Sequence, residues 1–187
     1  MKKKIERSLK ESIEVKKLVI EKEIDSIKRL ASLMIDVVRS GNKIIVFGNG
    51  GSASDSLHMA AELVGRFKKE RKAIPAVALT SNTSILTCIG NDYSFDKVFE
   101  RQIEALGKKG DIALGISTSG RSKNVISALK KAKEMGLKTS CLIGEYKKDI
   151  ENFSDAIISV PSKDTPRIQE SHGTIIHILC ELIEDAL

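Results

Sequence analysis

Apolar residues recur at helical spacing through the first forty positions, at Ile5, Leu9, Ile13, Ile20, Ile24, Ile27, Ala31, Met34 and Val38. No Gly or Pro interrupts Ile5 to Val38, so the pattern predicts one long amphipathic helix, or two in close succession, closed by Gly41-Asn42. The stripe is longer than a small monomer can easily cover, which makes residues 1–41 a candidate homo-oligomerisation segment. After Gly41 the texture changes. Short β-branched runs at Lys43–Phe47, Ala76–Leu79, Asp111–Ile116, Lys138–Ile143 and Ala156–Val160 alternate with helical patterns. These patterns cover Ser54–Phe67, a broken stretch from Ser84 to Leu106, Ser122–Met135 and Arg167–Ala186. Continuous apolar strands separated by helices predict an α/β fold, a doubly wound parallel five-stranded sheet of flavodoxin-like type over residues 42–187. No Pro/Gly/Ser-rich linker, repeat or low-complexity tract divides the chain, so one structural domain with an N-terminal helical extension is expected.

Composition narrows the function. The chain has 187 residues, 41% hydrophobic and 30% charged, and carries a formal charge of +6. No apolar window is long enough to cross a membrane, and the start turns acidic and helical directly after Lys2-Lys3-Lys4. A cytoplasmic protein without a membrane partner is expected. The basic excess lies mostly in residues 1–40, where acidic residues interleave it, and the chain has two Tyr and no Trp. That favours a solvated helix face over nucleic-acid binding, and a mild positive bias suits phosphorylated substrates. Cys88, Cys141 and Cys180 lie far apart in apolar runs and are expected to be reduced core residues.

In a doubly wound sheet ligands bind beyond the carboxyl ends of the strands, and the informative residues lie there. Gly48-Asn49-Gly50-Gly51-Ser52-Ala53-Ser54-Asp55 follows the first strand and opens a helix, a loop that lets backbone N–H groups approach an anion. A dinucleotide would need an acidic residue closing the next strand. That strand ends Leu79-Thr80-Ser81-Asn82, so no nucleotide cofactor is expected. Gly115-Ile116-Ser117-Thr118-Ser119-Gly120-Arg121-Ser122 also joins a strand to a helix. Its hydroxyls exceed what one cap requires and suit a phosphate cradle.

His58 and Glu62 stand four apart on the helix after the first loop, which puts both on one face. Thr165-Pro166-Arg167-Ile168-Gln169-Glu170-Ser171-His172 opens the last helix, with Thr165 as a candidate cap and Pro166 at the first helical position. Gln169 and His177 share roughly one face of that helix. His177 sits among Ile175, Ile176, Ile178 and Leu179, where a histidine is often a satisfied core residue, and His172 reads as a surface residue. Gly90-Asn91-Asp92 reads as a turn.

The segments GNGGSASDSLHMAAEL (48–63), Ile89-Gly90-Asn91-Asp92, GDIALGISTSGRSKNVI (110–126) and TPRIQESHGTIIHILCELIE (165–184) together resemble the phosphoheptose isomerases of the SIS-domain family. The likeness extends over nearly the whole chain. It implies interconversion of sedoheptulose 7-phosphate and D-glycero-D-manno-heptose 7-phosphate, the opening step towards activated heptose for bacterial surface glycans such as lipopolysaccharide. By the same resemblance Asn49, Gly50, Gly51, Ser52, Asn91, Asp92 and Gln169 contact the sugar. Ser117, Thr118, Ser119 and Ser122 hold the phosphate, and Glu62 and His177 form the acid/base pair. Some members bind zinc, and the corresponding ligands here are His58, Glu62, Gln169 and His177. The family assembles as a homotetramer with active sites at subunit interfaces.

The chemistry agrees with that implication, since moving a proton between C1 and C2 through an enediol needs a base and an acid, for which a carboxylate and an imidazole in a mostly enclosed cleft are suitable partners. Gly144-Glu145-Tyr146-Lys147-Lys148-Asp149 is less glycine-rich than the pattern leads one to expect. Non-enzymatic SIS proteins that bind the replication initiator are the main rival. They lack the histidine of the last helix that this chain keeps as His177. An isomerase of another phosphosugar, or a sugar-phosphate sensor, is a second alternative. A sensor would normally carry an added DNA-binding domain.

Overall fold

The apolar stripe at the start of the chain forms one unbroken helix, α1 (Lys2–Arg39), rather than two. This is seen in a computed structural model that describes residues 1–187. Gly41, at φ 78°, ends the helix, and the Gly41 and Asn42 N–H groups return to the carbonyls of Val38 and Val37. The chain then alternates: β1 (Ile44–Gly48), α2 (Gly51–Val64), β2 (Ala76–Ala78), α3 (Thr83–Asp92), α4 (Glu100–Leu106), β3 (Ile112–Ser117), α5 (Lys123–Glu134), β4 (Lys138–Ile143), β5 (Ala156–Ser159) and α6 (Thr165–Ala186). The broken middle pattern resolves into α3, a single 3-10 turn at Phe95–Lys97, and α4.

The five strands are all parallel in the order β2-β1-β3-β4-β5, as the apolar runs predict. Alternation within each strand sends successive residues to opposite faces. Ile44 and Val46 of β1, with Ile112, Leu114 and Ile116 of β3, pack under α1, α2 and α6. Ile45 and Phe47, with Ala113, pack under α3, α4 and α5. Because α2 and α5 leave adjacent strands towards opposite faces, their loops diverge and open a crevice between the ends of β1 and β3.

The stripe on α1 is divided. Ile27, Ala31 and Met34 are buried with Leu30 and Val37 against the sheet and α6, whereas Ile5, Leu9, Ile13, Ile20 and Ile24 are each more than half exposed. The Arg167 guanidinium at the start of α6 donates to the Ser8 carbonyl and pairs with Glu11, so the first turns of α1 lie against the helix that carries Gln169 and His177.

Some sequence expectations need correcting. Cys141 and Cys180 are buried, and desolvation pushes both thiols up to about 12, but Cys88 lies on the exposed side of α3. Asn91 and Asp92 form the last turn of α3 rather than a loop turn. Asp164, not Thr165, occupies the cap position of α6, which starts one residue earlier in the polar run than a threonine cap requires.

Candidate active site

The hydroxyl loop closes on itself as its spacing suggests. Ser117 and Ser122 approach at 2.9 Å between their Oγ atoms, and the Ser119 Oγ lies 3.4 Å from Ser117 and accepts from the Arg121 N–H at 3.2 Å. Gly120 makes the turn possible, since its φ of 63° and the adjacent Tyr146 carbonyl leave no place for a side chain. Ser122 is the residue before α5, so its hydroxyl and the first free N–H groups of that helix face the same space as Ser117. Thr118 and Ser119 line a cleft of about 460 Å³ whose other wall is Thr165 and Ile168 of α6 and Tyr146 of the following loop. A groove of about 780 Å³ along the first turns of α1 is larger. Its walls are mostly charged side chains and include none of the loop hydroxyls, so the smaller cleft is the one that meets the hydroxyl loop; neither the glycine loop nor His58, Glu62 and His177 line it.

The glycine loop sits on the other side of the crevice. α2 begins at Gly51, earlier than the apolar pattern predicts, because Gly50 occupies the cap position and Ser52 is already buried. The Gln169 amide, at the far end of a flexible side chain, packs directly against Gly51, so a side chain there would displace it. Asn49 pairs with Asn124 of α5 through two reciprocal amide hydrogen bonds of 2.9 Å. Asn124 carried no signal in the sequence beyond its place in the first turn of an amphipathic helix.

Further along the same two helices the candidate proton-transfer groups converge. His58 Nε2 lies 3.0 Å from Glu62 Oε1 and 3.3 Å from His177 Nε2, and one donor atom from each of the three falls within 4.8 Å of the others. The His58 and His177 rings meet edge to face at 4.9 Å, and Phe67 stacks on His177 at 5.4 Å. His177 therefore faces the cluster from the exposed side of α6; of its apolar neighbours in sequence Ile175, Ile176 and Leu179 are buried in the core, while Ile178 is exposed beside it. The expected enclosure is absent in the single chain, where the His58 side chain is 44% exposed and that of Glu62 23%.

This trio could hold a metal ion. Two ring nitrogens 3.3 Å apart are spaced like one edge of a tetrahedron whose centre lies about 2.0 Å from each, the ordinary zinc–nitrogen distance. Gln169 stands two turns before His177 on α6, and its amide packs on Gly51 rather than hydrogen-bonding to the trio. Asn91 and Asp92 hydrogen-bond to each other and not to the trio or either loop.

The end of α2 is held by a buried ion pair. Arg71 donates to the Glu62 and Leu63 carbonyls, and its Nε lies 3.1 Å from Glu184. Glu184 accepts from the N–H groups of Phe67, Lys68 and Lys69. Burial pushes the Glu184 carboxyl up, but those three donors and Arg71 outweigh it and hold it below the usual carboxylate range. The result sets the segment that carries Phe67 against His177. Neither residue was singled out from the sequence, because an Arg and a Glu 113 positions apart show no local pattern.

His172 is fully buried, contrary to the surface expectation, and its Nε2 lies 3.2 Å from the Ile143 carbonyl. It falls on the core side of α6, five residues before His177, which is why the two histidines part company. Burial drives its pKa down to about 4. The unfolded chain takes up a proton near pH 6.5 that the folded chain refuses, so this contribution is complete above about 6.5 and lost as pH falls to about 4. The loss amounts to about 3 kcal/mol. We expect the thermal transition of His172→Gln to vary less with pH across that window than that of the parent protein. An equal acid slope in both would show that another group is responsible.

Residues 9–144 match the SIS domain family model. A phosphoheptose isomerase from Clostridium acetobutylicum is 49% identical to the chain over 189 residues, covering 100% of this chain and 96% of that protein. One from Aquifex aeolicus is 50% identical, covering 97% and 95%. The solved structure of the phosphoheptose isomerase of Neisseria gonorrhoeae superimposes with a TM-score of 0.93 at 40% identity, with 98% of each chain covered.

Proposed function

We infer that this chain, which belongs to the phosphoheptose isomerase family of SIS-domain proteins, is an enzyme that converts sedoheptulose 7-phosphate to D-glycero-D-manno-heptose 7-phosphate. The observation that carries the reading is the convergence of His58, Glu62 and His177 on the two helices that start beside the glycine loop and the hydroxyl cradle. Ser117, Thr118, Ser119 and Ser122 take the phosphate. Asn49, Gly50, Gly51 and Ser52, with Gln169, Asn91 and Asp92, take the sugar hydroxyls. Glu62 removes a proton from C1 of the ketose and returns one to C2 through the enediol, and His177 serves the oxygens, including ring opening. The cleft volume lies in the range that small-molecule ligands fill.

The metal reading is zinc, held by His58, Glu62 and His177 with Gln169. When bound it supplies a Lewis acid that polarises the substrate carbonyl. The assembly reading is a homotetramer whose interfaces cover the exposed stripe of Ile5, Leu9, Ile13, Ile20 and Ile24 and enclose the half-open trio. Sedimentation of the native protein at a single-chain mass would remove that reading. No helix is long and apolar enough to cross a membrane, in keeping with a cytoplasmic enzyme.

The activity is tested by NMR of sedoheptulose 7-phosphate incubated with the protein in D2O, with and without a chelator. Aldoheptose signals with deuterium at C2 are expected. Activity lost to the chelator and restored by zinc would make the metal functional. Unchanged substrate with folded, zinc-supplied protein would sink the isomerase reading in favour of a binding protein.

A further inference from the structure

We propose that Asn124 is a positioning residue for this isomerisation, its buried amide holding Asn49 and the glycine loop at a set distance from the hydroxyl cradle. The proposal rests on the reading of the two loops as one substrate cleft.

β1 and β3 are neighbours, and their last paired residues are Gly48 and Ile116. Beyond that pair the backbone ladder ends and the chain leaves towards opposite faces, so the sheet sets the spacing of the two loops only at their bases. Between residues 48–55 and 117–125 the only side-chain hydrogen bonds are the two reciprocal 2.9 Å bonds of Asn49 and Asn124. Asn124 is 3% exposed and stands two residues after Ser122, whose hydroxyl is bound to Ser117. The cradle and Asn124 therefore move as one piece, and the glycine loop is fastened to it through Asn49.

A primary amide has two N–H donors and two acceptor lone pairs. The reciprocal pair uses one of each on Asn49 and leaves one of each, on a half-buried side chain, for a ligand. Asn124 thereby fixes which way the Asn49 amide faces. A sugar phosphate grips the cradle with one end and reacts at the other, so it senses the distance between the loops. A displacement of about 1 Å between reacting groups costs about a hundredfold in rate. Inorganic phosphate occupies the cradle alone and does not sense that distance.

The test is a double-mutant cycle of Asn49→Ala and Asn124→Ala, with Asn124→Asp as the isosteric variant that puts an oxygen against the Asn49 oxygen. We expect Asn124→Ala and Asn124→Asp each to lower kcat/KM for sedoheptulose 7-phosphate by about ten- to a hundredfold. The inhibition constant of inorganic phosphate should stay within about twofold, and Asn124→Ala should add no more than that in the Asn49→Ala background. Calorimetric Kd values for sedoheptulose 7-phosphate give the same cycle in protein that binds without turnover. An undiminished Asn124 effect in the Asn49→Ala protein would overturn the proposal. So would a weakening of phosphate in proportion to substrate, or a loss that merely follows the thermal transition. Failure of the parent protein to turn over the substrate would sink the isomerase reading but leave the binding cycle to decide the positioning role. Failure to bind it at all would sink both.

Discussion

Glu62→Gln is expected to lower kcat for sedoheptulose 7-phosphate about a thousandfold while the fold survives. The substitution keeps the shape of the side chain and its hydrogen-bonding reach to His58, now 3.0 Å away, but removes the atom that can take a proton from carbon. A positioned general base contributes about a hundredfold to ten-thousandfold, so the loss belongs in that range. The fold is insulated from the change because the end of α2 is held through the Glu62 carbonyl by Arg71, a backbone contact that Gln preserves. Kinetics, with circular dichroism as the control for folding, check it. Near-normal kcat in the variant would remove Glu62 from the role of base. Loss of deuterium exchange at C1 along with turnover would place the defect in proton removal rather than in binding.

His177→Ala should cost about a hundredfold or more in kcat, because it removes the group that serves the oxygens. It also strips one corner from the trio, leaving His58 and Glu62 as two donors where three now lie within 4.8 Å. Bound zinc, measured by elemental analysis of the purified variant, should therefore fall with activity. His177 is exposed and lies outside the buried stripe of α6, so its truncation creates no core cavity and the thermal transition should move little. A variant that kept full zinc and full turnover would show that the geometry at His177 is incidental. A variant that lost zinc but kept turnover would leave His177 as a metal ligand alone and return the acid role to solvent or another side chain.

The layout of the ligand loops was legible before any coordinates. Glycine and hydroxyl clusters stand directly after apolar β-runs, and a parallel sheet must turn its strand ends outward to a common edge. His58 and Glu62 were legible as a pair because a separation of four is one helical turn. The pairing of His58 with His177 was not, since 119 residues separate them and nothing local marks the exposed face of α6 as the one facing α2. The resemblance to the phosphoheptose isomerases supplied that link, and the structure puts the two Nε2 atoms 3.3 Å apart. His172 shows the limit from the other side. The sequence reads it as a surface residue, yet its helical phase places it with Ile168, Ile175 and Ile176 in the core.

What the chain's own pattern determined was every element whose cause is local. Short continuous apolar, β-branched runs set five strands, period-3.6 stripes set the helices, and Gly41 closed the first of them. Those local rules also implied a parallel sheet, because alternating strand and helix leave no other economical way to cover both faces. What the tertiary structure alone decided was which distant groups meet: Asn49 with Asn124, Gln169 with Gly51, Arg71 with Glu184, and His58 with His177. Each of these contacts depends on how α2, α5 and α6, and the segments that flank them, sit relative to one another. That placement is set by the summed packing of the buried faces and not by the residues that come into contact.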